Sequence, residues 1–385
     1  MQEQRSTASD NVATDPSLRS RMTGEAPSSH SMSARDYKSP YEHWKQAQGL
    51  DTVRGFHIRN IMDLALKPWA ARGNVAGIFV NLDGTGGFND TYVLEIPPRG
   101  QTEPWRHIYE ETIYILKGRG STTVWIDETK KQTFEWRERS FFAIPPNAWH
   151  QHFNLAGDEP VRYVAMTSAP RIIDSFKDLD FVFNNPYVFE TKFNGEDSYF
   201  VERGDTAVTN YVADVLARTP VPGEVTGTGR GGGTVSQGFW MVNATMFSHS
   251  QSWPTGAHST FHRHGPGIHV LLLQGTGYSM VGPTWEELER VDWSPGSMFV
   301  PPEGWWHAHF NSGPERAVFL AIGWGTDKPK PGGKQYDYTI GPKQGGDQYR
   351  FEDETPDVHA AFEAELAKNG VTCKMWAIHP YCTFK

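Results

Sequence analysis

From about residue 76 onward the chain is built of short apolar runs, such as Gly77–Asn81 and Tyr92–Ile96, separated by Gly, Pro, Asn and Asp. Short apolar and β-branched runs closed by turn formers predict strands joined by tight turns. Helical patterning appears only at the margins. Asn210–Arg218 predicts a short helix between two strand-rich regions. Near the end, Thr355 stands as a cap, Pro356 at the first turn and Gly370 beyond the last. Val358, Phe362 and Leu366 recur at i, i+4, i+8, which predicts a helix that packs one face. The first 35 residues are rich in Ser, Thr, Asp, Asn and Arg and hold too little apolar surface to offset ordering entropy, which predicts a flexible tail. Tyr37–Trp69 carries aromatic and aliphatic residues suited to packing across a barrel or onto a neighbouring subunit.

Sliding the sequence over itself exposes an internal repeat. His107/His264, Gly118/Gly275, Gly120/Gly277, Trp136/Trp293, Ser140/Ser297, Phe142/Phe299, Pro145/Pro302, Trp149/Trp306, His150/His307, His152/His309 and Asn154/Asn311 are all 157 positions apart, without a gap. That period is far longer than the roughly 20–50 residues of a solenoid unit. It predicts two related β domains: a tail at 1–35, a first domain with a leading segment at 36–170, a linker at 171–234, a second domain at 235–328, and a C-terminal extension with a helix at 329–385.

Eight of the 15 histidines fall within 105–154 and 262–311. In a strand, residues i and i+2 share a face, so His262 and His264 point together while Arg263 points away. His307 arrives from a distant strand entered through the Pro302–Gly304 turn. Three neutral imidazoles on one face of a metal leave positions open for substrate and dioxygen. In the first repeat Trp105 stands where His262 does, but His107, Glu111 and His150 remain, a two-His, one-carboxylate set. In the second repeat Ile268 replaces the carboxylate. His269 lies one residue on, where strand parity turns it outward unless a bulge intervenes. His152 and His309 share the parity of His150 and His307; they are candidates to orient substrate or relay a proton, or to brace the ligands by hydrogen bonds. His249 and His258 lie on the approach to the triplet as pocket-lining or polar turn residues. Arg230, in the glycine cluster 227–233, is either solvated or positioned to reach a substrate carboxylate. Parity sends Trp305 and Trp306 outside and between sheets. No Gly-x-Ser-x-Gly nucleophile motif occurs.

These arrangements resemble the two motifs of the cupin superfamily, G-x5-H-x-H-x3-4-E-x6-G and G-x5-P-x-G-x2-H-x3-N. The second repeat supplies His262-Arg-His264, Gly275, Gly296, Pro302, Gly304, His307 and Asn311; the first supplies His107, Glu111, Gly118, Pro145, His150 and Asn154. The resemblance implies an all-β bicupin: two jelly-roll barrels in tandem with a short helical linker and a C-terminal helix. Within bicupins, the His-Arg-His triplet and the W-H-x-H-x-N motif resemble the gentisate 1,2-dioxygenase group, including salicylate and hydroxynaphthoate ring-cleaving enzymes. That resemblance implies Fe(II), dioxygen and a hydroxylated aromatic carboxylate. The group usually keeps its iron in the N-terminal cupin, whereas the complete triad here is C-terminal. Imidazoles also accept Mn, Ni and Zn. Two alternatives stand beside this reading. One is a non-oxidative decarboxylase, lyase or isomerase with the Glu111 site active; the other is a non-enzymatic binding or storage bicupin.

Composition narrows the partners. With 38 Gly and 26 Pro, turns are favoured over long helices. No run approaches the roughly 18–20 apolar residues of a membrane span, and the first residues lack the apolar core of a signal peptide; the expectation is a soluble, cytoplasmic protein. A net charge of -9 without a Lys/Arg block argues against nucleic acid and leaves a small-molecule substrate with dioxygen. The aromatic segments outside the barrels predict a homo-oligomer. Cys373 and Cys382 form no Cys-x-x-Cys pattern and read as plain thiols.

Overall fold

The computed structural model describes residues 38–204, 207–225, 231–241, 246–265, 267–324 and 336–384. The predicted N-terminal tail and Arg230 lie outside them. Within them the chain forms two double-sheet barrels, antiparallel except where Thr52–Val53 runs parallel to Ala76–Val80. In the first, the larger sheet runs in the order Thr52–Val53, Ala76–Val80, Asp90–Ile96, Val161–Thr167, Glu111–Lys117, Phe141–Ile144, Tyr211–Val212, with Lys67–Pro68 beside Ala76–Val80. The smaller sheet runs Trp149–Asn154, Arg119–Trp125, Lys131–Arg137. In the second barrel the larger sheet is Val235–Phe239, Met246–Trp253, Ala317–Trp324, His269–Gln274, Met298–Phe299, His57–Ile58. Its smaller sheet is Ala257–His258, Trp306–Asn311, Gly277–Gly282, Glu289–Trp293.

Asp90–Ile96, Phe141–Ile144 and Val161–Thr167 of the first larger sheet are buried on both faces, which is why they read as near-continuous apolar runs instead of alternating ones. In Asp90–Ile96, Tyr92, Leu94 and Ile96 pack inside the first barrel. Val93 faces the opposite way, into a core shared with Leu271, Met298, Leu320 and Ile322 of the second. This shared layer holds the two barrels together.

The edges of the larger sheets are completed reciprocally. His57–Ile58, from the leading segment, pairs with Met298–Phe299 of the second barrel, and Tyr211–Val212, between the repeats, pairs with Phe141–Phe142 of the first. Each crossing is fastened in the same way. Ser297 Oγ donates to Arg59 O at 2.6 Å and Ser140 Oγ to Ala213 O at 2.9 Å. Ile61 N donates to Gly296 O at 2.8 Å and Val215 N to Arg139 O at 3.0 Å. Both acceptor residues sit at positive φ, 90° for Gly296 and 72° for Arg139, a conformation that is easy for glycine and costly for arginine. The Arg139–Asp214 ion pair, at 3.0 Å, helps to hold the costly one.

This pairing overrides the helix expected over Asn210–Arg218. Tyr211–Val212 is drawn out as an edge strand, and only Val215–Arg218 is helical, capped by Asp214. The C-terminal helix spans Pro356–Lys368. Thr355 occupies its cap position, but its side chain makes no capping bond. Phe362 and Leu366 are fully buried against Ala257, Phe261 and Phe310 of the second barrel, each such burial stabilising by about 1.5–3 kcal/mol. Cys373 and Cys382, expected as plain thiols, lie side by side in that core with Sγ atoms 3.6 Å apart.

Candidate metal centre

In the second barrel, a two-way backbone pairing between His262 and His307 (3.0 and 2.9 Å) sets their imidazoles side by side. His264, two residues along, joins them on the same face. The three rings lie with centroids 4.3, 4.6 and 5.8 Å apart, all nearly inaccessible to solvent. One ring nitrogen from each falls within 4.8 Å of the others. Nδ1 of His262 lies 3.3 Å from Thr260 O, that of His264 2.9 Å from Gly265 O and that of His307 3.1 Å from Trp305 O. A carbonyl only accepts, so each Nδ1 carries the proton and each Nε2 keeps its lone pair. Three convergent lone pairs fit a divalent cation. Arg263 points away, ion-paired to Asp347 at 2.6 Å and stacked over Trp306.

The first barrel repeats the backbone and changes the side chains. Trp105 and His150 exchange the same pair of hydrogen bonds, at 3.0 and 2.9 Å. The indole of Trp105 packs on Phe183 and under the Arg72 guanidinium. His107, Glu111 and His150 converge within 4.8 Å, all buried. Glu111 accepts a short hydrogen bond from the Tyr92 hydroxyl. Its other oxygen lies 3.2 Å from His107 Nε2 and 3.6 Å from His150 Nε2. Burial alone would raise the Glu111 pKa, but the His107 hydrogen bond and the charges of His107, His150 and Arg72 bring it down to about 2. His107 Nδ1 lies 2.9 Å from Tyr109 O and so takes one ring proton. Nε2 then meets a carboxylate oxygen, and a positive charge, a second proton or a metal ion, is required between them. This donor set also fits a divalent cation.

His309 and His152 occupy matching networks. Trp293 Nε1 donates to Ser279 Oγ at 3.1 Å, and Ser279 Oγ lies 2.8 Å from His309 Nδ1. Trp136, Thr122 and His152 do the same at 2.8 and 2.8 Å. Indole N–H only donates, so each hydroxyl oxygen accepts from its indole and leaves its own proton available to the histidine Nδ1. The closing asparagines of the motif are fasteners. Asn311 Nδ2 donates to Trp253 O, Pro254 O and Glu315 O, and Asn154 Nδ2 to Ile96 O, Pro97 O and Glu159 O.

The three-His cluster opens on a cavity of about 20 Å³ lined also by Phe247, His249, Gln251, Ile268, His309 and Phe319. His249 is thus a lining residue. Gln251 was not singled out in the sequence, although alternation along Met246–Trp253 carries its signal. His258 is not part of this cavity's lining; it is buried and bonded to His359. His269 is fully buried but stands apart from the three-His group, and burial lowers its pKa to about 4. Arg72 is the other residue that sequence reasoning passed over. It is 1% exposed, its Nε and Nη2 have no hydrogen-bond partner among the described residues, and Trp69 and Trp105 present their faces to it.

Residues 92–167 match the cupin domain family. Among curated proteins none matches this chain in sequence. Solved structures resembling it include a mutant of Bacillus subtilis oxalate decarboxylase, 16% identical, covering 71% of this chain and 78% of that one with a TM-score of 0.48. A structure of the same enzyme, studied for its Mn(II) centres, gives the same values. An oxalate decarboxylase structure concerned with substrate binding mode and reaction specificity is 15% identical over 80% of this chain and 87% of that one, again with a TM-score of 0.48. Among the described residues no helix is long and apolar enough to cross a membrane. The chain is a tandem of two related double-sheet barrels, the first of which carries a cupin domain.

Proposed function

We propose that the second barrel is the active site of a metal-dependent enzyme that decarboxylates a small organic acid. The observation that carries this reading is His309. Its ring lines the same cavity as His262, His264 and His307, and its Nδ1 lies 2.8 Å from a hydroxyl able to donate to it. Loss of carbon dioxide leaves an electron pair on carbon that must take up a proton, and a neighbouring imidazole N–H is suited to supply it.

His262, His264 and His307 would hold a divalent ion, iron or manganese, which when bound acts as a Lewis acid toward the substrate carboxylate. The rest falls to the chain. Phe247, Ile268, Val270 and Phe319 keep the cavity dry, which strengthens polar contacts made there. Ser279 Oγ, itself bonded by the Trp293 indole, holds the His309 ring in place. Gln251 adds a side-chain amide on the same wall.

A second reading, dioxygen-dependent cleavage by an iron enzyme, is favoured by one feature: the three ligands are neutral, with Ile268 in place of the carboxylate. Parallel aerobic and anaerobic incubations with two- to four-carbon acids, following carbon dioxide in both and oxygen in the first, separate the two. Carbon dioxide release without oxygen uptake is expected; strict dependence on oxygen overturns the decarboxylase reading. His309→Gln is expected to lower kcat about 100-fold while leaving the metal content unchanged.

A further inference from the structure

A third cluster lies outside both barrel sites, where the C-terminal extension meets the second barrel. His359 and Glu363 stand one turn apart on the helix Pro356–Lys368, and the following segment returns Cys373 and Cys382 to the same point. All four are buried, and one nitrogen, oxygen or sulfur from each lies within 4.8 Å of the others. Cys373 Sγ is 3.6 Å from Cys382 Sγ and 3.7 Å from His359 Nε2, and His359 Nε2 is 3.3 Å from Glu363 Oε1. Tetrahedral zinc, with bonds of about 2.3 Å to sulfur and about 2.0–2.1 Å to nitrogen and oxygen, requires ligand edges of roughly 3.8, 3.5 and 3.3 Å respectively. The three edges match within about 0.2 Å.

The surroundings orient the donors. His258 Nδ1 lies 3.0 Å from Ser259 O and so holds the proton of that ring, leaving His258 Nε2 to accept. His359 Nδ1, 3.1 Å away, donates to it. The lone pair of His359 is therefore on Nε2, the atom beside Cys373 and Glu363. His379 stacks on His359 with centroids 3.7 Å apart, its Nε2 engaged with Glu354 at 3.3 Å. Glu363 is braced by the backbone N–H and hydroxyl of Thr383, at 2.7 and 2.6 Å. A ligand histidine held by a partner on its other nitrogen, and a ligand carboxylate held by hydrogen bonds, are what a preorganised metal site requires.

We propose that His359, Glu363, Cys373 and Cys382 form a structural zinc site that fastens the C-terminal extension to the second barrel. On binding, the two thiols release their protons to solvent and the thiolates enter the coordination sphere. Thiolate sulfur selects zinc over the manganese or iron suited to the nitrogen and oxygen donors of the barrels. The site ties residues from the helix, the terminal segment and, through His258, the strand Ala257–His258.

Elemental analysis of the full-length chain carrying His107→Ala, His262→Ala, His264→Ala and His307→Ala tests this, because both barrel sites are then disabled. One zinc per chain is expected to remain, to be released when a mercurial titrates the thiols of the folded protein, and to be replaceable by Co(II) with a near-ultraviolet thiolate charge-transfer band. Cys373→Ser with Cys382→Ser is expected to lose the zinc. If that variant does not fold, mercurial release from the cysteine-containing chain decides the matter. Absence of zinc, zinc that the mercurial does not release, or a denatured mass short by the two hydrogens of a Cys373–Cys382 disulfide each overturns the proposal.

Discussion

The two barrels share a backbone and differ in a few inward side chains, and those differences come in sets. Glu111 of the first corresponds to Ile268 of the second, and Tyr92, whose hydroxyl bonds Glu111, corresponds to His249. The hydroxyl is present where the carboxylate is and absent where it is not. Trp105 corresponds to His262, and the backbone pairing to the facing histidine is unchanged by the swap. The scaffold thus fixes where side chains converge, while the charge of a site depends on coordinated choices at a few positions. One barrel carries a buried anion clamped by a phenol, and the other carries a neutral imidazole triad on a small cavity.

The comparison can be broken most severely at the triad. His307→Ala is expected to abolish both second-barrel metal binding and turnover, whereas His107→Ala leaves turnover in place; metal analysis with activity assay checks both. Next in size, Ile268→Glu would give the second barrel the carboxylate of the first without its phenol. In metal-stripped protein it is expected to cost about 3–5 kcal/mol as an uncompensated buried charge, with part recovered by adding His249→Tyr, as read by urea unfolding. A third contrast is His269, whose counterpart in the first repeat is Thr112, also buried. The unfolded chain protonates His269 near 6.5, whereas burial holds the folded value at about 4. Between those values the unfolded state binds more protons, so stability falls as pH drops from about 6.5 to about 4. Replacing His269 with Leu should remove about 3 kcal/mol of that pH dependence, measured by urea unfolding across the range. The smallest effect is expected of Tyr92→Phe, about 1.5–3 kcal/mol for a hydrogen bond to a charged group, with second-barrel activity unchanged.

Much of this was legible in the sequence because strand parity is local. His262 and His264 share a face by alternation alone, and the 157-residue offset places His307 and Asn311 in their barrel. The edge strands His57–Ile58 and Tyr211–Val212 were not legible, since each is only two residues long and is defined by a partner far along the chain. Asn210–Arg218 looked helical because its apolar spacing allows it; pairing to Phe141–Phe142 decided otherwise. Arg72 was missed because nothing local marks a cation that ends up buried between two indoles. The cysteine cluster escaped because its donors divide between a helix and an irregular segment, with only the His359–Glu363 spacing left as a signal. The lining beside the triad arises from side chains on several strands, which no local pattern brings together.

The reciprocal edge strands have a consequence for how the molecule holds itself together. A barrel deprived of its borrowed strand presents an open row of backbone donors and acceptors, the usual route to pairing with a stranger. Here each half supplies what the other lacks, as the arms of a two-fold dimer do, but the two partners are one continuous chain. The tether keeps each arm at a high effective concentration beside its receptor edge, on the order of millimolar for a short flexible link, so capture by another molecule must compete with closure within the same one. Cutting the chain between residues 185 and 200 should leave two pieces that stay together, each finishing the other's sheet.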